Sequence, residues 1–514
     1  AEHMLTREQK NFLPLYREIY RRYPAPGNDS VYQQRQQLLQ RLASKPATFT
    51  LRDWLAQRRP TEQQWQLIEG RLAGQVVMPV FAILLRDQAE DSEKLARSLA
   101  SLRGLAVQGV VVKVVVLRQE PLDEEDIDWL AVDAGGWCDA VNRLLGDTAF
   151  DWFMLLDAGD ELTESGLLMA ALELLEAPEC RAVYGDEIYR QADGQLGAAL
   201  RPDFNLDYLL SFPAGMARHW LFRREAVLQA GGLTAAYGDA AEFELILRLI
   251  TGGGLAGLGH VAEPWLVTDI PLLRNSEAEK QAILEHLLAR GYAQAQVVAM
   301  QPGSYCLRYR HDQQTGVSLL IATGSRLASL QRCVETLMET TSYAHYEILL
   351  VETDPAAVEV RQWLQALDSL GEARLRVVWS VDKQGLAGAL NRAAQQALGD
   401  FLLLLAADTA VIQADWLDEL LNHGQRPEVG IVGGKLLAAD GTVQHAGLIL
   451  GLQGVAGRPF VGEPLDAVGY MQRLQVDQNY SAVSRDCLLV KRELYLSVAG
   501  MAEDVPECFL DVDL

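Results

Sequence analysis

The 514-residue chain has no apolar run near the roughly 18 residues that a membrane-spanning helix needs. Its longest candidates, VVVKVVVL (110–117) and FLLLLAA (401–407), are short enough for buried strands. Cysteine is scarce: residues 138, 180, 306, 333, 487 and 508 form no CxxC and no zinc-type spacing, which excludes a disulfide scaffold and a zinc module. Basic side chains are outnumbered, 45 Lys and Arg against 69 Asp and Glu, for a formal charge of −24. Such a surface repels phosphate backbones and anionic headgroups, so nucleic acid is not an expected partner. No secretory leader is legible, and the expected location is the cytoplasm, as a peripheral protein of the inner membrane at most. The remaining composition, 49% hydrophobic and 22% charged, is that of a globular protein.

Residues 1–75 read as an N-terminal helical segment. Phe12, Leu15, Tyr16, Ile19 and Tyr20 recur at helical spacing, and Thr61–Gln64 has the form of a capping box. From Met78 the texture changes to apolar runs alternating with amphipathic helices, which predicts α/β units on a largely parallel sheet. The pattern then restarts. DAVNRLL (139–145) resembles GALNRAA (388–394), and Asn142 and Asn391 stand 249 positions apart. WFMLLDAGDEL (152–162) falls on FLLLLAADTAV (401–411) at the same offset, and FRREAVLQAGGL (222–233) on VKRELYLSVAGM (490–501) at 268. Ordered matches with slowly growing offsets predict a duplicated domain. The expected organisation is a first α/β domain over 76–270, an ordered connector over 271–315 and a second α/β domain over 316–514.

The strand DWFMLL ends in Asp157-Ala-Gly-Asp160. Carboxylates just past the carboxyl end of a buried parallel strand face the crevice where open α/β sheets bind ligands. Two acids there repel unless a cation or a donor lies between them. One reading is a divalent ion shared with phosphate oxygens. The other is a helix N-terminus, whose dipole acids complement. Spacing alone leaves both open. His260 and His445 lack neighbours that would complete a metal set, and the glycines of 251–259 have the spacing of a turn rather than of a dinucleotide fingerprint.

The ordered motifs resemble those of bacterial glycosyltransferase family 2 of the GT-A fold, the kind that acts on cell-surface polysaccharide or flagellin glycans. The likeness covers about residues 50–514. In the second copy it rests on VSLLIATGSR (317–326), TTSYAHYEILLVETD (340–354), GLAGALNRAAQQALGDFLLLLAADT (385–409), SAVSRDCLLVKRELYLSVAG (481–500) and FLDVDL (509–514). In the first it rests on LLDAGDEL, AVYGDE (182–187), RPDFNLDYLLS (201–211) and AEFELILR (241–248). The resemblance implies two tandem GT-A domains, Rossmann-like nucleotide-diphospho-sugar transferase folds, behind the helical segment. It implies an inverting transfer of a hexosyl or deoxyhexosyl group to a glycan, lipid-linked glycan or glycoprotein acceptor.

Carried over residue by residue, it implies a divalent cation, Mn²⁺ or Mg²⁺, on Asp157 and Asp160 in the first copy and on Asp408 in the second. Those residues and Glu352 would bind the donor. Asp186 would face the acceptor, and Glu242 and Asp511 would be the catalytic bases. Gly159 stands where the family usually has the metal-touching Asp, and Ala406 replaces the first acid of the second copy's motif. The second copy stops at Leu514, where the family pattern continues, so the domain reads as truncated and the first copy as the catalytic one. Two rivals differ in class. A non-catalytic carbohydrate-binding or scaffold protein is favoured by the lost acids. A sugar-nucleotide nucleotidyltransferase would need a Gly-rich basic loop after the first strand, which neither FAILLRDQAE nor LLIATGSRLA supplies.

Overall fold

The computed structural model describes residues 51–514 except 74–78, 104–110, 123–126, 134, 148, 192, 380–384 and 453. The helical periodicity at Phe12–Tyr20 lies outside the described residues. Helices Leu51–Gln57 and Glu62–Ala73 precede the first strand. Thr61 caps the second of them: its amide donates to Gln64 Oε1 at 2.8 Å, and Thr61 Oγ1 accepts from the Gln64 amide at 3.4 Å.

A nine-stranded sheet comes first. Its strands are β1 (Val80–Arg86), β2 (Val111–Arg118), β3 (Asp128–Ala131), β4 (Trp152–Asp157), β5 (Glu161–Leu162), β6 (Ala182–Arg190), β7 (Leu196–Ala199), β8 (Leu221–Arg223) and β9 (Leu258–Asp269). The order is β3-β2-β1-β4-β8-β6-β9-β5, with β7 beside β6. The hairpin β10 (Gln296–Ala299) and β11 (Tyr305–Arg308) follows the helix Glu277–Ala289. A second sheet is built from β12 (Val317–Ala322), β13 (Tyr346–Val351), β14 (Leu375–Val378), β15 (Phe401–Ala406) and β16 (Ile431–Gly433). After the short strands β17 (Leu436–Leu437), β18 (Val443–His445), β19 (Ile449–Leu450) and β20 (Ala456–Gly457) it closes with β21 (Cys487–Lys491), in the order β14-β13-β12-β15-β21-β16.

The two sheets share one plan. β3-β2-β1-β4 and β14-β13-β12-β15 are parallel throughout, and β8 and β21 then join antiparallel. The sheets are therefore mixed rather than largely parallel. The segments at 222 and 490 are strands that turn back along the central one, so AVYG pairs antiparallel with β8 and not as a further βα step.

Alternate residues of each buried strand feed opposite faces. Phe81, Ile83 and Leu85 pack with the helix Ser92–Arg103, while Ala82 and Leu84 pack with the helix Trp137–Asp147. Val317, Leu319 and Ile321 divide from Leu320 in the same way. Burial on both faces explains the near-continuous apolar runs. Ile283, Leu287, Val297 and Leu307, between the sheets, pack into the first core.

The halves also meet through charge. Arg426, 2% exposed, pairs with Asp207, which also accepts from Asn479 Nδ2 at 2.7 Å. The Arg426 guanidinium lies 4.7 Å from the centre of the Tyr309 ring.

Candidate functional site

In the first unit the parallel register places Arg86, the last residue of β1, opposite Asp157, the last of β4. Arg86 Nε stands 2.8 Å from Asp157 Oδ1, and Arg218 reaches Oδ2 at 3.5 Å. The chain then folds back on itself. Asp157 donates its amide to Asp160 Oδ2 at 2.8 Å, and Gly159 donates its own to Ser98 Oγ at 2.9 Å. Gly159 has φ +108°, and a side chain there would press on the Lys94 stem 3.3 Å away. Asp160 is 4% exposed: Thr268 donates to Oδ1, and His219 Nε2 lies 3.1 Å from Oδ2.

His219 has its other nitrogen 2.6 Å from Glu187 Oε1, which Arg201 also engages. Burial alone would push His219 down, but Glu187 and Asp160 outweigh it and raise it to about 9. Burial likewise opposes ionisation of Glu187 and Asp160. The charges of Arg201 and His219 hold Glu187 at about 2, and His219, Arg218 and the Thr268 hydroxyl hold Asp160 well below the usual carboxylate range.

Glu242, in the first turn of the helix Ala241–Gly253, accepts the Trp220 amide at 2.8 Å, and burial pushes its carboxyl up. Asp157, Asp160 and Glu242 therefore share one rim, linked through Arg218, His219 and Trp220. Asp186 on β6 accepts from the Arg201 amide at 2.7 Å and faces His260 Nε2 at 3.2 Å. His260 stacks on Tyr184 and also meets Asp203. Burial would lower His260, but its hydrogen bonds to these two carboxylates raise it.

The first acidic pair does not fit a metal ion. Asp160 is closed by donors from its own chain, position 159 offers no ligand, and Asp157 carries two guanidinium groups. A neutralising partner was required by sequence reasoning, and the structure supplies it from the protein. Arg86, Glu187, Arg201, Arg218 and His219 were missed there, since charged residues scattered over four segments, with only Arg218 and His219 adjacent, leave no spacing signal. Arg86 was the one within reach, because it ends the strand beside Asp157.

In the second unit the same ladder position pairs Ala322 with Ala406, so acid and guanidinium are both gone. A cleft of about 130 Å³ lies here, lined by Thr323, Gly324, Ser325, Arg326, Ser329, Ala407 and Asp408. Asp408 occupies the place of Gly159 and pairs with the exposed Arg326. Glu352, just past β13, is buried with Arg361 at 3.4 Å. In the first unit Arg118 takes that place and faces the buried Asp87 at 3.5 Å. The Ala406 amide donates to the Asp486 carbonyl at 3.1 Å. The neighbouring Ser484 and Arg485 contact Asp511 at 3.1 and 3.0 Å. Asp511 is thereby brought to the end of β15. Burial raises its carboxyl against the pull of Arg485 and the Ser484 hydrogen bond.

One half-exposed carboxylate beside hydroxyls in an open cleft suits a divalent ion that takes its other ligands from phosphate and water. Among the described residues no group of three or more His, Cys, Asp or Glu side chains is placed to hold a metal unaided.

The family model described as glycosyl transferase family 2 matches residues 318–495. The O-antigen biosynthesis protein RfbC of Myxococcus xanthus is 32% identical over 419 residues, covering 78% of this chain and 32% of that protein. A Sinorhizobium fredii protein, y4gI, is 30% identical over 413 residues, covering 78% of this chain and 45% of its own. The chain thus spans less than half the length of either relative. Among solved structures, S. aureus TarS 1–349 is similar at 11% identity and a TM-score of 0.32, covering 41% of this chain and 64% of that one. TarS 1–349 in complex with UDP gives 14% identity and a TM-score of 0.31, over 40% of this chain and 65% of that one.

Proposed function

We propose that the second unit, whose residues 318–495 match the family model of glycosyl transferase family 2, binds a nucleotide-diphospho-sugar and transfers its sugar, with inversion, to a hydroxyl of a glycan acceptor. The observation that carries this reading is the cleft at the ends of β12 and β15, which keeps an accessible acid, Asp408, within the matched segment. Glu352 lies on the donor side of that rim. A divalent ion held by Asp408 would offset the charge that builds on the departing diphosphate. Arg326 and the hydroxyls of Ser325 and Ser329 are placed to orient phosphate oxygens. Asp511 accepts the acceptor's proton as its oxygen attacks, and the raised affinity of that carboxyl for a proton suits a general base. The two similarly ordered sheets are read as a duplicated pair, with transfer chemistry in the second.

One relative supports a class of acceptor. A protein named for O-antigen biosynthesis is 32% identical over most of this chain, which supports a bacterial surface polysaccharide or its lipid-linked precursor. Among the described residues no helix is long and apolar enough to cross a membrane. The test is nucleotide release from a panel of nucleotide sugars, with Mn²⁺ and with chelator. Asp408→Ala should abolish release and Asp157→Asn should leave it. Full turnover by Asp408→Ala would overturn the assignment.

A further inference from the structure

We propose that in the first unit Arg218 and His219 take the place of a divalent ion at the end of β4, so that this unit holds no metal and receives an anionic, diphosphate-class ligand directly on Arg218 and Arg86. The inference concerns residues 80–269 and does not depend on the transfer chemistry assigned to the second unit.

Three observations carry it. Position 159, the counterpart of Asp408, is a glycine at φ +108° with the Lys94 stem 3.3 Å from where a side chain would begin, so the one place for a metal-touching acid is taken. Asp160 is enclosed, and His219 spans it and Glu187 at 3.1 and 2.6 Å. A neutral imidazole has one N–H, whereas two carboxylate acceptors call for two, so the geometry is that of an imidazolium. Asp157, the remaining exposed acid, carries Arg86 at 2.8 Å and Arg218 at 3.5 Å.

These residues change together between the units. Alignment of β8 with β21 puts Asp486 and Cys487 where the first unit has Arg218 and His219, and Ala322 and Ala406 where it has Arg86 and Asp157. The unit that keeps the acid at the position of Asp408 has no cation at the places of Arg86, Arg218 and His219 and meets that acid only from the exposed Arg326, whereas the unit that lacks the acid fills those places with cations. Arg86 and Arg218 are partly exposed, at 15% and 30%, around a strand end that faces the ligand crevice of an open α/β sheet. A guanidinium suits a diphosphate because it offers paired donors in a plane. Asp157 competes for both groups and is the internal stand-in for that anion.

The test uses the full chain and two probes, Mn²⁺ alone and inorganic pyrophosphate in excess chelator. In calorimetry, Mn²⁺ binding should be unchanged by Asp157→Asn. Pyrophosphate should bind without metal, weaken at least tenfold in Arg218→Gln, hold in Arg326→Gln, and tighten severalfold in Asp157→Asn because the internal competitor is gone. Arg218→Lys, which keeps the charge, covers the case in which the glutamine variant misfolds, and should give an intermediate loss. Loss of a Mn²⁺ site in Asp157→Asn, or pyrophosphate binding that needs metal or ignores Arg218, would overturn the proposal.

Discussion

Asn142 and Asn391 make the same pair of hydrogen bonds in the two halves of the chain. Asn142 Nδ2 donates to the Leu233 carbonyl at 2.8 Å, and its Oδ1 accepts the Leu233 amide at 2.7 Å. Asn391 does the same to Met501, at 2.9 and 3.0 Å. Each amide ties the helix after the third strand to the loop that ends the short helix following the antiparallel strand. The preceding Gly232 and Gly500, at φ +82° and +72°, bring the backbone against it where a Cβ would collide with Oδ1.

Asn142→Ala and Asn391→Ala are each expected to cost about 1–3 kcal/mol, since each leaves a backbone donor and acceptor without a partner. The costs should add in the double variant, because the sites share no neighbours. Urea unfolding checks both statements; a cost below about 0.5 kcal/mol at either site would show that water replaces the amide freely.

Stability should depend on pH through His219. Its folded value, about 9, lies above the ordinary 6.5, so its contribution is complete below about pH 6.5 and is lost as pH rises through about 9. Glu187, held at about 2 against an ordinary 4.5, contributes above pH 4.5 and is lost as pH falls toward 2. Comparing urea midpoints of the wild type and His219→Gln from pH 6 to 10 isolates the imidazole from the buried thiols, which burial pushes up in the folded chain and which ionise in that range only once unfolded. The gap should narrow at the alkaline end.

Asp511→Asn should lower turnover about 10²- to 10⁴-fold while nucleotide affinity stays within about twofold, as fits a base used only during attack. Initial rates and nucleotide calorimetry separate the two. A large loss of affinity instead would make Asp511 a donor ligand.

Arg426→Met should destabilise the chain by about 3–5 kcal/mol, because it strands the buried Asp207. Scanning calorimetry should show the single transition broadening or splitting as the halves uncouple. Adding Asp207→Leu should recover part of the loss; an unaltered transition in Arg426→Met would place the coupling elsewhere.

Much of the architecture was legible in the chain. Continuous apolar runs such as FAILL and FLLLL can be buried only in a sheet covered on both faces, and the helices between them follow from their period. The repeat was legible because Asn142 and Asn391, and the glycines before Leu233 and Met501, recur in order. Asp157 and Asp160 were legible together because strand ends gather at one edge of such a sheet, whereas Glu242, in the first turn of a helix, was reached only through the family resemblance.

The sequence by itself determined the α/β class, the alternation of strands and helices that opens each unit and the strand end at which Asp157 and Asp160 stand, since these depend on local period. Tertiary structure alone decided what neutralises those acids. Arg86, Arg201 and the adjacent pair Arg218-His219 come from three separate segments, and whether a carboxylate faces a metal ion or a guanidinium depends on through-space distances of 3 Å that no spacing along the chain encodes. For the same reason two stretches as alike as LLDAGDEL and LLAADTAV end in a closed ion network in one unit and an open cleft in the other.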